Sequence, residues 1–345
     1  MSLYGWRARP AVRLLGACCV MSDGQCYAKK RKEWLVWLTA EDSNSIAQQM
    51  YSMIWDAAVF RVVNEALLLA EAAPDGGVQR NGMVHRLLEK GFYQTQSLAI
   101  RRLLDRGAFQ QSHAAQGPKG VYSLRGLLDD IEKHSHIMTR SNMLTAEEMP
   151  YDYKPVRKKR DEYHSVQVQS GKRTYGVPPE LDWEGIVRRH EEIDALCGVR
   201  ADERTPTDSV RVEVVRHLQS RLGVCSGFLT YTDKYLAHAA TPESRKRANA
   251  HELELSLGGL WKAQQSICEV LNFTSVYLLG DNQHGGVAVP QYDHFKYIDK
   301  PLVAPEKVQH LHDTWEEFDR ETRQWTQQGL KGLMREMQSK GGCKS

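Results

Sequence analysis

The chain has 345 residues, of which 41% are hydrophobic, enough to bury one large core or two modest ones. A formal net charge of +3 is too small to indicate nucleic-acid binding from composition, so local clusters have to carry that argument. Seven cysteines without Cys-x-x-Cys spacing argue against a zinc ribbon or a disulfide framework, and no apolar run reaches the length of a membrane span. We therefore expect a cytoplasmic protein with reduced cysteines, of which Cys225 and Cys268 are expected to be buried.

Apolar residues recur at three- and four-residue intervals from Trp34 onward, and this spacing predicts helices. The predicted helical segments are 46–67, 92–105, 122–138, 181–197, 207–241, 251–279 and 305–338. In the last of these, Trp315, Phe318 and Trp325 are expected to be packing residues. No alternating strand pattern is present, so the sequence predicts an all-α helical bundle with an extra C-terminal helix.

The predicted helical domain covers residues 31–335, between an N-terminal tail at 1–30 and a C-terminal tail at 336–345. The N-terminal tail is expected to be poorly ordered. A secretory signal is not expected there, because Arg13 interrupts the only apolar stretch that could form its core.

The segment 150–180 differs in character from the helices on either side of it. It mixes basic residues with aromatic ones and then becomes polar and glycine-bearing, which predicts an irregular connector or insertion inside the domain. Its basic cluster is Arg157, Lys158, Lys159 and Arg160. This cluster is either an ordinary solvated loop or a contact for a phosphate backbone, and both interpretations stay open.

The stretch from Tyr231 to Arg245 carries the most distinctive set of titratable side chains. Lys234 and His238 are four residues apart, and Tyr231 lies seven residues before His238. If the helix continues to Pro242, which would end it, these three side chains share one polar face near an accessible helix end.

This motif, Asp233-Lys-x-x-Ala-His238 at the end of a long helix and behind the segment Ser97–Asp105, resembles the HEPN superfamily of all-α nucleic-acid-handling proteins. Within that superfamily it is most similar to the abortive-infection U-type branch of bacterial anti-phage proteins. Further segments of the resemblance follow in the same order along the chain and are Ser123–Ile131, Leu144–Pro155 and Gly285–Asp293. The resemblance covers most of the chain from Trp34 to Trp325.

The family signature is an arginine, usually followed by a polar residue, and then a histidine four to six residues after the arginine. His238 takes the histidine place, Asp233 the polar place and Lys234 the lysine place, whereas Thr232 stands where the family has arginine. The resemblance implies a HEPN-like bundle, a homodimer that completes the site across a twofold interface, and metal-independent cleavage of RNA in anti-phage defence. It also implies an antitoxin or another defence-system protein as a partner.

The candidate catalytic residues are His238, Lys234, Asp233, Arg102 and Arg101. Cleavage by the adjacent ribose hydroxyl needs a base, an acid and a cation, and histidine can serve either proton-transfer role near neutral pH. One of the two arginines is expected to reach a phosphate in place of the missing motif arginine. Restoring the family pattern with Thr232→Arg is expected to raise ribonuclease activity. The predicted RNA-binding residues are Tyr231, Arg245, Arg157, Lys158, Lys159 and Arg160.

A second candidate, Arg80 with His85, does satisfy the arginine-to-histidine pattern and has the preferred asparagine after the arginine. It lies beside a glycine-rich turn and is the next pair to test. No metal site and no cofactor are predicted, because the acidic residues around Asp129 lack histidine or carboxylate partners at fixed spacing.

Two functions from different classes remain open. The first is a dimeric, metal-independent ribonuclease of an abortive-infection or toxin-type defence system. The second is a catalytically degenerate HEPN-like module that binds RNA, a nucleotide or a partner protein.

Overall fold

A computed structural model of the chain describes residues 22–69, 81–105, 121–169, 178, 181–250, 255–285, 287, 292–300 and 303–341, with side chains described as far as Trp325 except at position 168. The chain divides into two compact units, 1–288 and 289–345, where the sequence predicts one domain from 31 to 335. The predicted C-terminal tail overlaps the end of the last helix, which continues to Gly341.

The predicted all-α fold is confirmed. Within the described ranges every regular element is a helix, and an isolated bridge between Thr139 and Ser209 is the one β-type pairing. The α-helices of the first unit are α1 (Asp23–Thr39), α2 (Ile46–Leu68), α3 (Gly82–Leu103), α4 (Leu124–Lys133), α5 (Arg140–Ala146), α6 (Lys154–Gln169), α7 (Trp183–Cys197), α8 (Val212–Arg221), α9 (Ser226–Tyr231), α10 (Pro242–Arg247) and α11 (Leu257–Phe273). Among the described helices, none is both long enough and apolar enough to cross a membrane.

Helix α1 corrects the expectation of a poorly ordered tail at residues 23–30. It begins at Asp23 because Ser22 and Gln25 form a capping box, in which each side chain binds the backbone N–H of the other residue. Tyr27 and Trp34 are fully buried, so the helix is part of the core. The sequence around Tyr27 is polar, and the helix buries only a narrow apolar stripe. The apolar residues therefore did not show a helical pattern before Trp34. Residues 1–21 of the predicted tail lie outside the described residues.

The core of the first unit is held together by polar contacts as well as by apolar packing. Gln264 donates a hydrogen bond of 2.7 Å to the side-chain oxygen of Gln96, and Gln96 donates one of 3.2 Å to the carbonyl of Met53. These bonds connect α11, α3 and α2, and both glutamines are buried. Paired in this way, the two amides avoid the cost of burying an unbonded polar group.

Helix α6 corrects the prediction of an irregular segment at 150–180. Residues Lys154–Gln169 are helical, and α6 packs against α7. The guanidinium groups of Arg157 and Arg160 lie 5.1 and 5.6 Å from the ring centroid of Trp183. Arg160 also forms an ion pair of 2.9 Å with Glu184. Tertiary contact with α7 therefore stabilises a segment whose composition alone favours a loop. Residues 170–177, 179 and 180 of this segment lie outside the described residues.

The long helix predicted from Thr207 to residue 241 is divided into several segments. Thr207 lies in a turn instead of capping a helix, and α8 starts only at Val212. A 3-10 turn at Leu222–Cys225 separates α8 from α9, and a π-helix at Thr232–Leu236 follows α9. Apolar residues keep the spacing of a continuous helix across these breaks, so periodicity cannot reveal them.

Its predicted partner, 251–279, is a helix that also changes type near its end. Helix α11 covers Leu257–Phe273 and continues as a π-helix at Thr274–Leu278. Cys225 is fully buried as expected, whereas Cys268 is only partly buried.

A fully buried arginine joins α5, α7 and the turn before α8. Arg140 donates hydrogen bonds of 2.7 Å to Asp194 and 3.1 Å to Asp208, and one of 3.2 Å to the carbonyl of His190. Asp194 is shared with Arg204, which binds both of its carboxylate oxygens. Burial, and then the positive charges of Arg140 and Arg204, lower the pKa of His190. The sequence did not predict this network, because its residues are far apart along the chain.

The second unit contains a long helix with exposed aromatic residues. A 3-10 turn at Pro305–Lys307 leads into α12 (Val308–Gly341), in agreement with the predicted helix. Trp315, Phe318 and Trp325 are each more than half exposed, so they do not pack as the sequence predicts.

The buried arginine leads to a prediction about stability. Arg140→Ala is expected to lower the free energy of unfolding by about 3–5 kcal/mol, because it removes the cation from Asp208 and one of the two cations from Asp194, and leaves a cavity where a fully buried side chain was. Urea denaturation followed by circular dichroism measures the change. The control is Arg200→Ala, which removes an exposed ion pair with Asp202 and should change the free energy by less than about 0.5 kcal/mol. Equal effects in the two variants would show that the network does not hold the fold.

Candidate nucleic-acid interface

The candidate motif begins in the π-helix that follows α9. The N–H of Ala237 donates to the carbonyl of Thr232, five residues earlier, over 2.8 Å, and the helix ends there. Pro242 does not end this helix but occupies the first turn of α10, where Thr241 is the N-cap. His238 therefore lies in the connection between two helices. The expectation that Lys234 and His238 share one helical face is wrong.

Thr232, at the place of the family arginine, faces the interior. It is 1% exposed, and its hydroxyl donates a hydrogen bond of 3.1 Å to the carbonyl of Ser97 on α3. A side chain at this position is directed into the contact between the π-helix and α3. This position cannot present a cation to a substrate without displacing that contact.

The structure brings Arg101 and Asp233 together, as an ion pair between α3 and the π-helix. Nε of Arg101 lies 2.9 Å from a carboxylate oxygen of Asp233, and a second nitrogen lies 3.1 Å from Asp105. The hydrogen bond with Asp233 is the main cause that raises the pKa of the Arg101 guanidinium above its ordinary value. Two carboxylates thus balance this arginine, and it positions the π-helix on α3.

The side chain of Arg102 points away from Asp233 and toward the start of α2. Neighbouring residues of an α-helix point about 100° apart, and the guanidinium of Arg102 binds the side-chain oxygen of Asn44, just before α2. It lines a cavity of about 250 Å³ that also contains Asp56, whose pKa is raised by burial. Arg102 therefore does not join the other predicted catalytic residues.

Two tyrosines and an arginine form a continuous surface beside the π-helix. The rings of Tyr231 and Tyr235 are stacked, with centroids 5.3 Å apart and an angle of 25° between their planes. The guanidinium of Arg245 lies 5.4 Å from the centroid of Tyr235, and Arg245 also donates a hydrogen bond of 2.6 Å to the carbonyl of Ala240. Tyr235 was missed in the sequence, although its spacing of four residues from Tyr231 was the available signal.

Lys234 belongs to the same surface. Its ammonium group donates a hydrogen bond of 3.1 Å to the hydroxyl of Ser244, the residue before Arg245. We call Tyr231, Lys234, Tyr235 and Arg245 the tyrosine–cation surface.

His238 lies in the connection between the π-helix and α10. The hydrogen bonds of Lys234 to Ser244 and of Arg245 to Ala240 span this connection. The side chain of His238 is exposed, and its carbonyl accepts a hydrogen bond of 2.8 Å from the N–H of Ala240, the residue that Arg245 holds. Lys246 and Arg247 add exposed positive charge at the C-terminal end of α10, where cations complement the helix dipole. These cations are close to the histidine along the chain.

The basic cluster of α6 is only partly available. Arg157 and Arg160 lie over Trp183, and Arg160 is partly buried, whereas Arg157, Lys158 and Lys159 are exposed. Its contact with RNA stays a prediction.

The alternative pair at Arg80 and His85 is only half described, because Arg80 lies outside the described residues. Asn81, the polar residue of that motif, is the N-cap of α3, and its side-chain oxygen accepts a hydrogen bond of 3.0 Å from the N–H of Val84. The asparagine thus has a structural role.

No family model, curated protein or solved structure matches the chain. The HEPN resemblance rests on the sequence motifs alone. Over the part of the chain that the structure describes, no group of three or more histidine, cysteine or carboxylate side chains is arranged to hold a metal ion.

The burial of Thr232 reverses the expectation for Thr232→Arg. We expect this variant to lose about 3 kcal/mol of folding free energy, because it forces a long charged side chain into the contact with α3. Urea denaturation measures the loss.

The matched control is Thr230→Arg, two residues earlier. The hydroxyl of Thr230 binds the carbonyl of Ser226 within its own helix over 3.2 Å and is not buried. This variant should stay within about 1 kcal/mol of the original protein. Unchanged stability of Thr232→Arg together with increased RNA cleavage would show that the side chain reaches solvent.

Proposed function

We propose that the protein binds single-stranded RNA through the tyrosine–cation surface. The observation that carries this proposal is the stacked pair Tyr231 and Tyr235 with the guanidinium of Arg245 against it. Unpaired bases stack on aromatic rings and on guanidinium planes, and every base can do so. Lysine and arginine nearby can contact the phosphates, and this part of the affinity falls as salt rises.

Binding fits this geometry better than cleavage does. A cleavage site of the predicted kind needs a cation that stabilises charge on the phosphorus. Thr232 replaces the motif arginine and is buried, and the charge of Arg101 is balanced by Asp105 and Asp233. Lys234 and Arg245 keep their positive charge, but their bonds to Ser244 and to the carbonyl of Ala240 hold them on the tyrosine–cation surface, where they suit contacts with the phosphates of a bound strand. These features support the degenerate, RNA-binding member of the two functions that the resemblance leaves open.

The setting of anti-phage defence comes from the resemblance to the abortive-infection U-type branch. We propose that RNA binding serves such a response. The net charge of the chain is only +3, so we expect RNA to bind through a local group of cations and not through the charge of the whole protein.

RNA binding gives the next prediction. Tyr231→Ala should weaken binding of a fluorescein-labelled 20-nucleotide single strand by about 5- to 150-fold, the range for losing one stacking platform. Arg245→Gln should weaken it and also reduce the slope of log affinity against log salt by about 1. Fluorescence anisotropy at several salt concentrations measures both quantities.

The controls are an exposed tyrosine and an exposed arginine elsewhere, Tyr292→Ala and Arg200→Gln, which should bind RNA as the original protein does. If all four variants bind alike, the tyrosine–cation surface is not the binding site. If instead charge reversal at Lys158 and Lys159 alone abolishes binding, the RNA lies on α6.

Cleavage of RNA is the second candidate function, and the exposed position of His238 favours it. His238 could remove the proton from a ribose 2′-hydroxyl, whose oxygen then attacks the adjacent phosphorus and displaces the 5′-oxygen. The leaving oxygen needs a proton from a second group. In the HEPN resemblance a twofold partner completes the site, and the partner's copy of the histidine would meet this need.

Incubation with mixed RNA in the presence of a chelator separates the two functions. Under the binding proposal, the original protein and His238→Ala both leave the RNA intact, because the residues that the structure describes do not bring an acid, a base and a cation together. Intact RNA length is read on a denaturing gel, and affinity is measured in parallel. Cleavage by the original protein that His238→Ala lacks, with equal affinity for RNA, would establish the second function instead.

A further inference from the structure

An exposed apolar stripe runs along one face of α12. Trp315 is 68% exposed, Phe318 57% and Trp325 62%. The rings of Phe318 and Trp325 touch edge to face, with centroids 5.9 Å apart, so residues seven apart lie on the same face. Large aromatic residues clustered in this way mark an interaction surface.

The spacing of the stripe is that of a coiled-coil seam. Val308, Leu311, Trp315, Phe318 and Trp325, with Thr322 between the last two, follow intervals of three, four, three, four and three residues. This is the heptad period, in which alternate a and d positions face a partner helix. Farther along the helix the next a and d positions are Gly329 and Gly332, so the apolar seam ends at Trp325.

We propose that two copies of this chain associate through α12 as an antiparallel coiled coil. In that orientation the a positions of one helix meet the d positions of the other. The layers are then Val308 with Trp325, Leu311 with Thr322, and Trp315 with Phe318, each formed twice by symmetry. Two of the three layers combine a large side chain with a smaller one, which suits close packing.

Charge at the edges of the seam favours the antiparallel orientation. It places His312 of one helix beside Asp319 of the other, twice, and an imidazole N–H can donate to a carboxylate. A parallel pair would place Lys307 opposite His312 and Thr314 opposite Asp319, with no pair of opposite charges. The parallel pair would also place Trp315 against its own copy.

The area of the stripe reaches the lower limit for a specific interface. Aromatic side chains bury 150–250 Å² each, so the exposed parts of the five apolar residues amount to about 500 Å² for each helix. Two such faces remove up to about 1,000 Å² from water, which is the size at which specific interfaces begin. This association does not depend on RNA.

Sedimentation and light scattering on the full chain at micromolar concentration test the proposal. The original protein should be a dimer, and Trp315→Glu or Phe318→Glu should be monomeric with helix content unchanged by circular dichroism. Glu317→Lys and Arg320→Glu change the charge on the other side of α12 and should remain dimeric. A monomeric original protein, or stripe variants that stay dimeric, would overturn the proposal.

Engineered cysteines test the orientation. Leu311→Cys and Thr322→Cys, oxidised separately, should form no new disulfide at these positions, whereas a mixture of the two should form a 311-to-322 disulfide located by mass spectrometry. A disulfide of Thr322→Cys with its own copy would indicate a parallel pair and overturn the antiparallel assignment. Since the readouts are mass and disulfide position, a failure of RNA binding does not affect either outcome.

Discussion

The hydrogen bond from the buried hydroxyl of Thr232 to the carbonyl of Ser97 fixes the π-helix on α3, and the directions of the neighbouring side chains depend on it. With Thr232 facing inward, Asp233 meets Arg101, while Tyr231 and Tyr235 stack beside each other. The HEPN motif that the sequence resembles has an arginine at the position of Thr232, which is buried here. A local packing requirement thus determines which chemistry the surface can carry.

Periodicity predicted the helices well, because burial of one helix face leaves a clear three-four pattern. It could not predict where α9 becomes a π-helix, since the apolar residues keep their spacing while one backbone bond changes partner. It also failed for α6, where two arginines pack on Trp183 of α7. Contacts between distant segments leave no local pattern in a sequence.

The candidate site was located only in part from the sequence. Tyr231, Lys234 and Arg245 do lie together, but the helix assumed to extend to Pro242 ends before His238. Arg102 was separated from Arg101 by the helical twist alone, since adjacent residues point in different directions. Side-chain partners such as Asn44 decide where a charge acts, and only the folded chain shows them.

A π-helix closes each hydrogen bond over one more residue than an α-helix does, which amounts to a one-residue insertion in the helical register. Because each α-helical residue advances about 100° around the axis, the extra residue rotates the side chains after it by about that angle. The four-residue spacing of Lys234 and His238 describes a shared face in the α register, which this chain does not adopt here. Two chains with identical motif spacing can therefore expose different side chains. The outcome depends on whether the additional residue is part of the helix, as a π-turn, or lies in the segment after it.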